Sequence, residues 1–144
     1  MKNILVTVDF EEKAVLLVEK AAEIAKKFNS KVWLVHIVAP DPDFIGYEVG
    51  PQYIRDSRAE ELRKEHKLIQ KHTQKLKSEG INAEGLLIQG ATREMIIKET
   101  EKLKIDLIVI GHHKHSLLFK IFAGSVASEV IKHSSVPILL VPIN

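Results

Sequence analysis

The chain has 144 residues, enough for one domain spanning 1–144 and not for two. Its composition, 45% hydrophobic and 28% charged, is that of a soluble globular protein and excludes a disordered tail, a collagen-like fibre and a membrane span. It contains no cysteine, which excludes a disulfide scaffold, a thiolate metal site and a cysteine nucleophile, and its net charge of +2 is too small to predict nucleic-acid binding.

Residues 2–8 (KNILVTV) are short, apolar and β-branched, and predict a strand. Residues 11–28 follow a helical period, with Ala14, Leu17, Val18, Ala21, Ala25 and Phe28 on one face. Residues 31–38 (KVWLVHIV) predict a second strand, nearly all apolar. The stretch 39–53 holds three of the five prolines and two of the seven glycines, and is the one long loop, a lid or a partner surface.

Residues 54–79 form a long charged helix whose inner stripe is Ala59, Leu62, His66, Ile69, Thr73 and Leu76, ended near Gly80. A strand follows at 82–89. A helix at 93–104 turns Ile96, Ile97, Thr100 and Leu103 inward. Residues 106–110 (DLIVI) are a fourth strand and 111–123 a loop. Gly124-Ser125 opens a last helix that runs to about His133, and 136–141 (VPILLV) is the fifth strand. The order βαβαβαβαβ, with strands that are continuous apolar runs, predicts an α/β fold: a parallel sheet covered by helices on both faces.

In open sheets of this kind ligands bind beyond the carboxyl ends of the strands, where the strand order reverses. Asp9 follows the first strand and Gly111 the fourth. Asp9 has two readings, an N-cap for the first helix and a ligand contact, and they can coexist. Gly124-Ser125-Val126 also has two. Glycine before serine is capping chemistry, and the N–H groups of a helix N-terminus equally suit a phosphate. The stretch is neither a Walker sequence nor a dinucleotide G-x-G-x-x-G fingerprint.

Beyond these features the chain resembles a single-domain universal stress protein over essentially its full length. The resemblance rests on ILVTVD, VWLVHIV, GLLIQGATREMIIKE and DLIVIGHHKHSLLFKIFAGSVASEVIKHSSVPILLVP. The last segment carries the family's spacing: glycine, two residues, glycine, nine residues, then glycine and a small polar residue. Gly111 fills the first place and Gly124-Ser125 the last, while Lys114 stands where the middle glycine would be. A lysine there offers a point charge to phosphate in exchange for backbone freedom. Glu11 stands where the family often has a serine.

The resemblance implies a three-layer, Rossmann-like open sheet of five parallel strands in the order 3-2-1-4-5. It implies adenine-nucleotide binding, ATP with ADP and AMP as alternatives, with Mg2+ or Mn2+ on the phosphates. In that reading Asp9 faces the adenine or ribose end, and Thr7 and Ile37 line the base pocket. Ile110 and Gly111 pack along the ribose and α-phosphate, while Gly124, Ser125 and Val126 serve the phosphates. His113 and Lys114 lie beside them. The alternatives are a family member that binds no nucleotide and acts through protein contacts, and a slow ATPase.

His112, His113 and His115 are read as a polar loop, with His113 or His115 near a phosphate, in preference to a metal site. His36 is read as a satisfied core histidine. Eight Lys/Arg and five Asp/Glu between Arg55 and Glu79 make a solvated face, not a nucleic-acid surface. No catalytic set is assigned. The fifth strand, bracketed by Pro137 and Pro142, is an apolar sheet edge that a homodimer would cover. With no signal segment and no apolar run long enough for a bilayer, the expected address is cytoplasmic.

Overall fold

Short aliphatic runs can satisfy their backbone only by pairing and their side chains only by being covered on both faces. In the computed structural model, which describes residues 1–9, 13–38, 52–112 and 126–143, five such runs do so. The elements are β1 (Asn3–Thr7), α1 (Ala14–Phe28), β2 (Lys31–Val38), α2 (Gln52–Ser78), β3 (Ala83–Gln89), α3 (Thr92–Lys102), β4 (Leu107–His112), α4 (Val126–His133) and β5 (Ile138–Pro142). The strands form one sheet in the order β3-β2-β1-β4-β5, and every neighbouring pair is parallel. The expected α/β architecture and strand order are therefore both present.

Alternation along each strand divides the core in two. Ile4, Val6, Val32, Leu34 and Val109 join Leu17, Val18 and Ala21 of α1 and Ile69 and Leu76 of α2 in one cluster. Leu5, Val35, Ile108 and Ile110 join Ile96 of α3 and Val130 of α4 in the other. Ile4, Leu5 and Val6 are fully buried, so β1 is covered on both faces and paired on both edges. Burying each such side chain contributes about 1.5–3 kcal/mol.

The structure moves several boundaries and residues. α1 begins at Ala14, and its entry residue is Lys13, which makes no side-chain cap. Asp9 is thus not the N-cap of that helix. Phe28 does not share the buried face of α1. It is 59% exposed, at the last turn before Asn29 leaves the helix in a left-handed conformation. On α2 the inner stripe passes through partly buried Glu65 instead of His66, which is exposed. One position is 100° of helix rotation, enough to turn a residue from sheet to solvent. α2 also starts at Gln52, shortening the predicted loop, and β4 continues through Gly111 and His112.

α2 lies so close to β3 that one position admits no side chain. A Cβ on Gly85 would overlap Ile69 Cγ2 and stand 2.7 Å from Thr73 Oγ1. Thr73 is itself buried and donates its hydroxyl to the Ile69 carbonyl at 2.8 Å. Gly85→Ala is therefore expected to lower stability by about 1–3 kcal/mol through overpacking, read from the denaturant midpoint.

The amino ends of β1 and β4 are joined by Asp106. Its carboxylate accepts the N–H groups of Lys2 at 2.7 Å and Asn3 at 2.9 Å, and its own N–H donates to the Asn3 carbonyl at 2.8 Å. The two backbone donors, Asn3 first and then Lys2, hold the Asp106 carboxyl below its ordinary value of 3.8. A depressed folded-state value gives stability that is present above the ordinary value and lost as pH falls through the folded one. Asp106→Asn is expected to flatten the acid limb of stability below about pH 4, checked by thermal melts across that range.

Candidate functional site

All strands run the same way, so their carboxyl ends share one margin of the sheet. The order turns back on itself between β1 and β4. From β1 the chain leads to α1, which packs on one face, and from β4 to α4, which packs on the other. In sheets of this kind such a divergence opens a crevice between the two strand ends, and ligands bind there.

Thr7 closes β1 and lies opposite Val35 of β2. Its hydroxyl donates across to the Val109 carbonyl of β4 at 3.5 Å, at the point of the reversal. Val8 follows, with its N–H donating to Val35 O at 2.9 Å. The Val8 carbonyl is 2.7 Å from Nδ1 of His36. Asp9, next in the chain, is exposed at the lip. Ile37 is opposite Ile88, half-buried against the second core cluster. Ile110 is opposite Leu140 and almost fully buried in that cluster.

Gly111 pairs with Val141. A methyl there would stand 3.0 Å from Ile143 Cδ1 and 3.2 Å from Leu17 Cδ1. Packing against α1 and the residue after β5 thus favours glycine here, whatever a ligand demands.

α4 opens with Val126, 44% exposed, and the N–H groups of such a first turn have no partner within the helix. The same turn carries Glu129, whose charge opposes an incoming anion. Arg93, from the first turn of α3, donates to Glu129 Oε2 at 2.9 Å, and Lys132 donates to Oε1 at 3.1 Å. These bonds, Arg93 first, hold the Glu129 carboxyl below the usual range. The acid is already paired with two cations, so it takes less from the positive end of the helix. Sequence reasoning missed this pair, because Arg93 and Glu129 are separated by a strand and a loop.

Thr7, Asp9, Ile37, Ile110 and Gly111 are brought to the β1–β4–β2 margin, with Val126 at the start of α4. His113, Lys114, Gly124 and Ser125 lie outside the described residues, as do Glu11 and most of the 39–53 loop. His36 is satisfied, as read, but it stands at the margin next to Asp9 and not deep in the core. Its Nε2 is 3.8 Å from Glu65 Oε2 of α2. That partner had no signal in the sequence, since its helix was expected to turn His66 inward.

A separate cavity of about 210 Å³ lies between α1 and α2, toward the amino ends of the strands. Lys26 and Glu79 pair across it at 2.7 Å, and Lys75 and Glu19 at 3.9 Å. Among the described residues no three histidine or acidic side chains are grouped to hold a metal ion. No helix among them is long and apolar enough to cross a membrane.

The model of the universal stress protein family matches residues 1–142. Universal stress protein A homolog 1 of Coxiella burnetii is 30% identical, over 97% of this chain and 95% of that protein. The solved structure of MJ0577, a universal stress protein of Methanocaldococcus jannaschii, is 26% identical with a TM-score of 0.78, covering 99% of this chain and 96% of that one. A universal stress protein of Archaeoglobus fulgidus, solved in complex with dAMP, is 22% identical with a TM-score of 0.68 and covers 97% of both chains. The shared fold, the crevice and a family match over nearly every residue lead to one conclusion: this chain belongs to the universal stress protein family.

Proposed function

We propose that this protein is a stress-response regulatory module that holds ATP in the crevice at the carboxyl ends of β1 and β4. The observation that carries the reading is the strand-order reversal between β1 and β4, with Asp9 following the first and α4 following the second. An adenine nucleotide has an apolar ring at one end and anions at the other. The half-buried Ile37 and the exposed carboxylate of Asp9 suit the base and ribose, and the open N–H groups of α4 suit the phosphates. The complex of the Archaeoglobus fulgidus relative with dAMP supports an adenine nucleotide as the ligand class.

In this reading Thr7, Ile110 and Gly111 form the floor, and His113, Lys114, Gly124, Ser125 and Val126 surround the phosphates. Mg2+ or Mn2+ would be held chiefly by phosphate oxygens and would neutralise their charge. The protein retains nucleotide, with at most slow hydrolysis, and it works in the cytoplasm. Lys114 in place of glycine favours a second reading, a family member that binds no nucleotide and acts by protein contacts alone.

The assembly proposed is a homodimer through β5. Ile108 N–H bonds the Pro137 carbonyl, and Ile143 N–H bonds the His112 carbonyl, so the odd-numbered residues of this strand face β4. The even-numbered ones, Ile138, Leu140 and Pro142, then face the open edge. Pro142 has no N–H to offer there, which limits pairing to a short stretch.

Calorimetric titration with ATP, ADP and AMP tests the ligand. ATP is expected to bind, and Gly124→Val to weaken it by about tenfold or more, because a branched side chain obstructs close approach to phosphate. The melting temperature of that variant should be unchanged. Lys114→Gly is expected not to strengthen binding. Absence of heat and of thermal shift with millimolar ATP would favour the second reading. Sedimentation velocity is expected to show a particle of twice the chain's mass.

A further inference from the structure

The register of β1 with β2 ends at Thr7 opposite Val35, yet the chain must still be aimed before it leaves the sheet. Val8 does this. Its N–H is held by the Val35 carbonyl, and its carbonyl is held by the ring of His36 at 2.7 Å. A carbonyl oxygen only accepts hydrogen bonds, so Nδ1 of His36 carries the hydrogen. The bond fixes the plane of the peptide joining Val8 to Asp9, and with it the direction in which Asp9 departs.

The ring is held in place in turn. Its side chain is 13% exposed and lies between the mouth of β1 and α2, where Glu65 Oε2 stands 3.8 Å from Nε2. That carboxylate oxygen is buried and has no hydrogen-bond partner among the described residues. Nδ1 is thus engaged by Val8 and Nε2 is backed by Glu65 of α2. The ring therefore has little freedom to rotate away from Val8.

We propose that His36 is a positioning residue for nucleotide selection: through the Val8 carbonyl it orients the Asp9 peptide, so that the protein recognises the adenosine half of its ligand and not the phosphates alone. This rests on the nucleotide reading above. His36 need not touch the ligand. Its effect falls at the Asp9 end of the crevice and not at the α4 end.

The amide analogues of histidine provide the test. Asparagine places its Nδ2 donor where histidine has Nδ1, whereas glutamine carries its donor one atom further out, near the place of Nε2. Leucine removes the donor and keeps an apolar body. Affinities for ATP and for inorganic triphosphate are measured by calorimetry on wild type, His36→Asn, His36→Gln and His36→Leu. Expected is a loss of about five- to tenfold for ATP in His36→Leu and His36→Gln, the effect of one neutral hydrogen bond. Triphosphate affinity should not change, and His36→Asn should restore ATP binding to near the wild-type value.

A purely structural histidine would lower both affinities together, or neither, and either result overturns the proposal. So does equal behaviour of the asparagine and glutamine variants. If His36→Leu does not fold, the Asn and Gln pair decides. If the wild type binds neither ATP nor triphosphate, the nucleotide reading itself falls and this inference with it. If it binds both and the four proteins are alike, only the role of His36 is lost.

Discussion

β1 is paired on both edges and covered on both faces, and that constraint organises the rest of the molecule. A strand of five residues with three fully buried side chains has no tolerance for a shift in register, because a one-residue slip would exchange the two core faces. Its pairing with β2 and β4 fixes where those strands end. Asp106 reinforces the alignment at the opposite margin by tying the first backbone amides of β1 to the entrance of β4. The relative placement of the two strand ends is thus the outcome of packing decided elsewhere.

Charge is arranged on the crevice in the same economical way. The mouth of α4 supplies partial positive charge but also bears Glu129, and Arg93 and Lys132 are spent on that acid. The wall on the β1 side has the reverse character: an exposed carboxylate, Asp9, next to a carbonyl already engaged by an imidazole. An anion is therefore favoured at the α4 wall and a hydrogen-bond donor at the Asp9 wall.

Much of this was legible from the order of the residues. Unbroken runs such as VWLVHIV and DLIVI signal strands covered on both faces, and the alternation with helical periods signals a parallel sheet. The strand order came from the family resemblance, because the pairing of β1 with both β2 and β4 leaves no local mark. The errors came where side-chain type was given more weight than geometry. Phe28 is apolar but falls at the end of α1, where the core has run out. His66 fits the inner stripe by helical spacing, yet Glu65 is the residue that lies inward, where His36 faces it. Asp9 was offered as a cap, but the helix starts too far along the chain. Of the site residues, Thr7, Asp9, Ile37, Ile110 and Gly111 could be placed at one margin by counting strand positions. The links from His36 to Val8 and from Arg93 to Glu129 join elements far apart in the chain and had no pattern to reveal them.

Ile143 is the first residue past the fifth strand, and it is nearly fully buried against the fourth strand and the first helix. The segment just beyond β5 therefore acts as a wedge seated behind Gly111, near the carboxyl end of β4. Anything that pulls on that wedge, whether a trimmed end, a bulky fusion or a partner gripping the chain there, would be felt at Gly111 and Leu17, which it packs against.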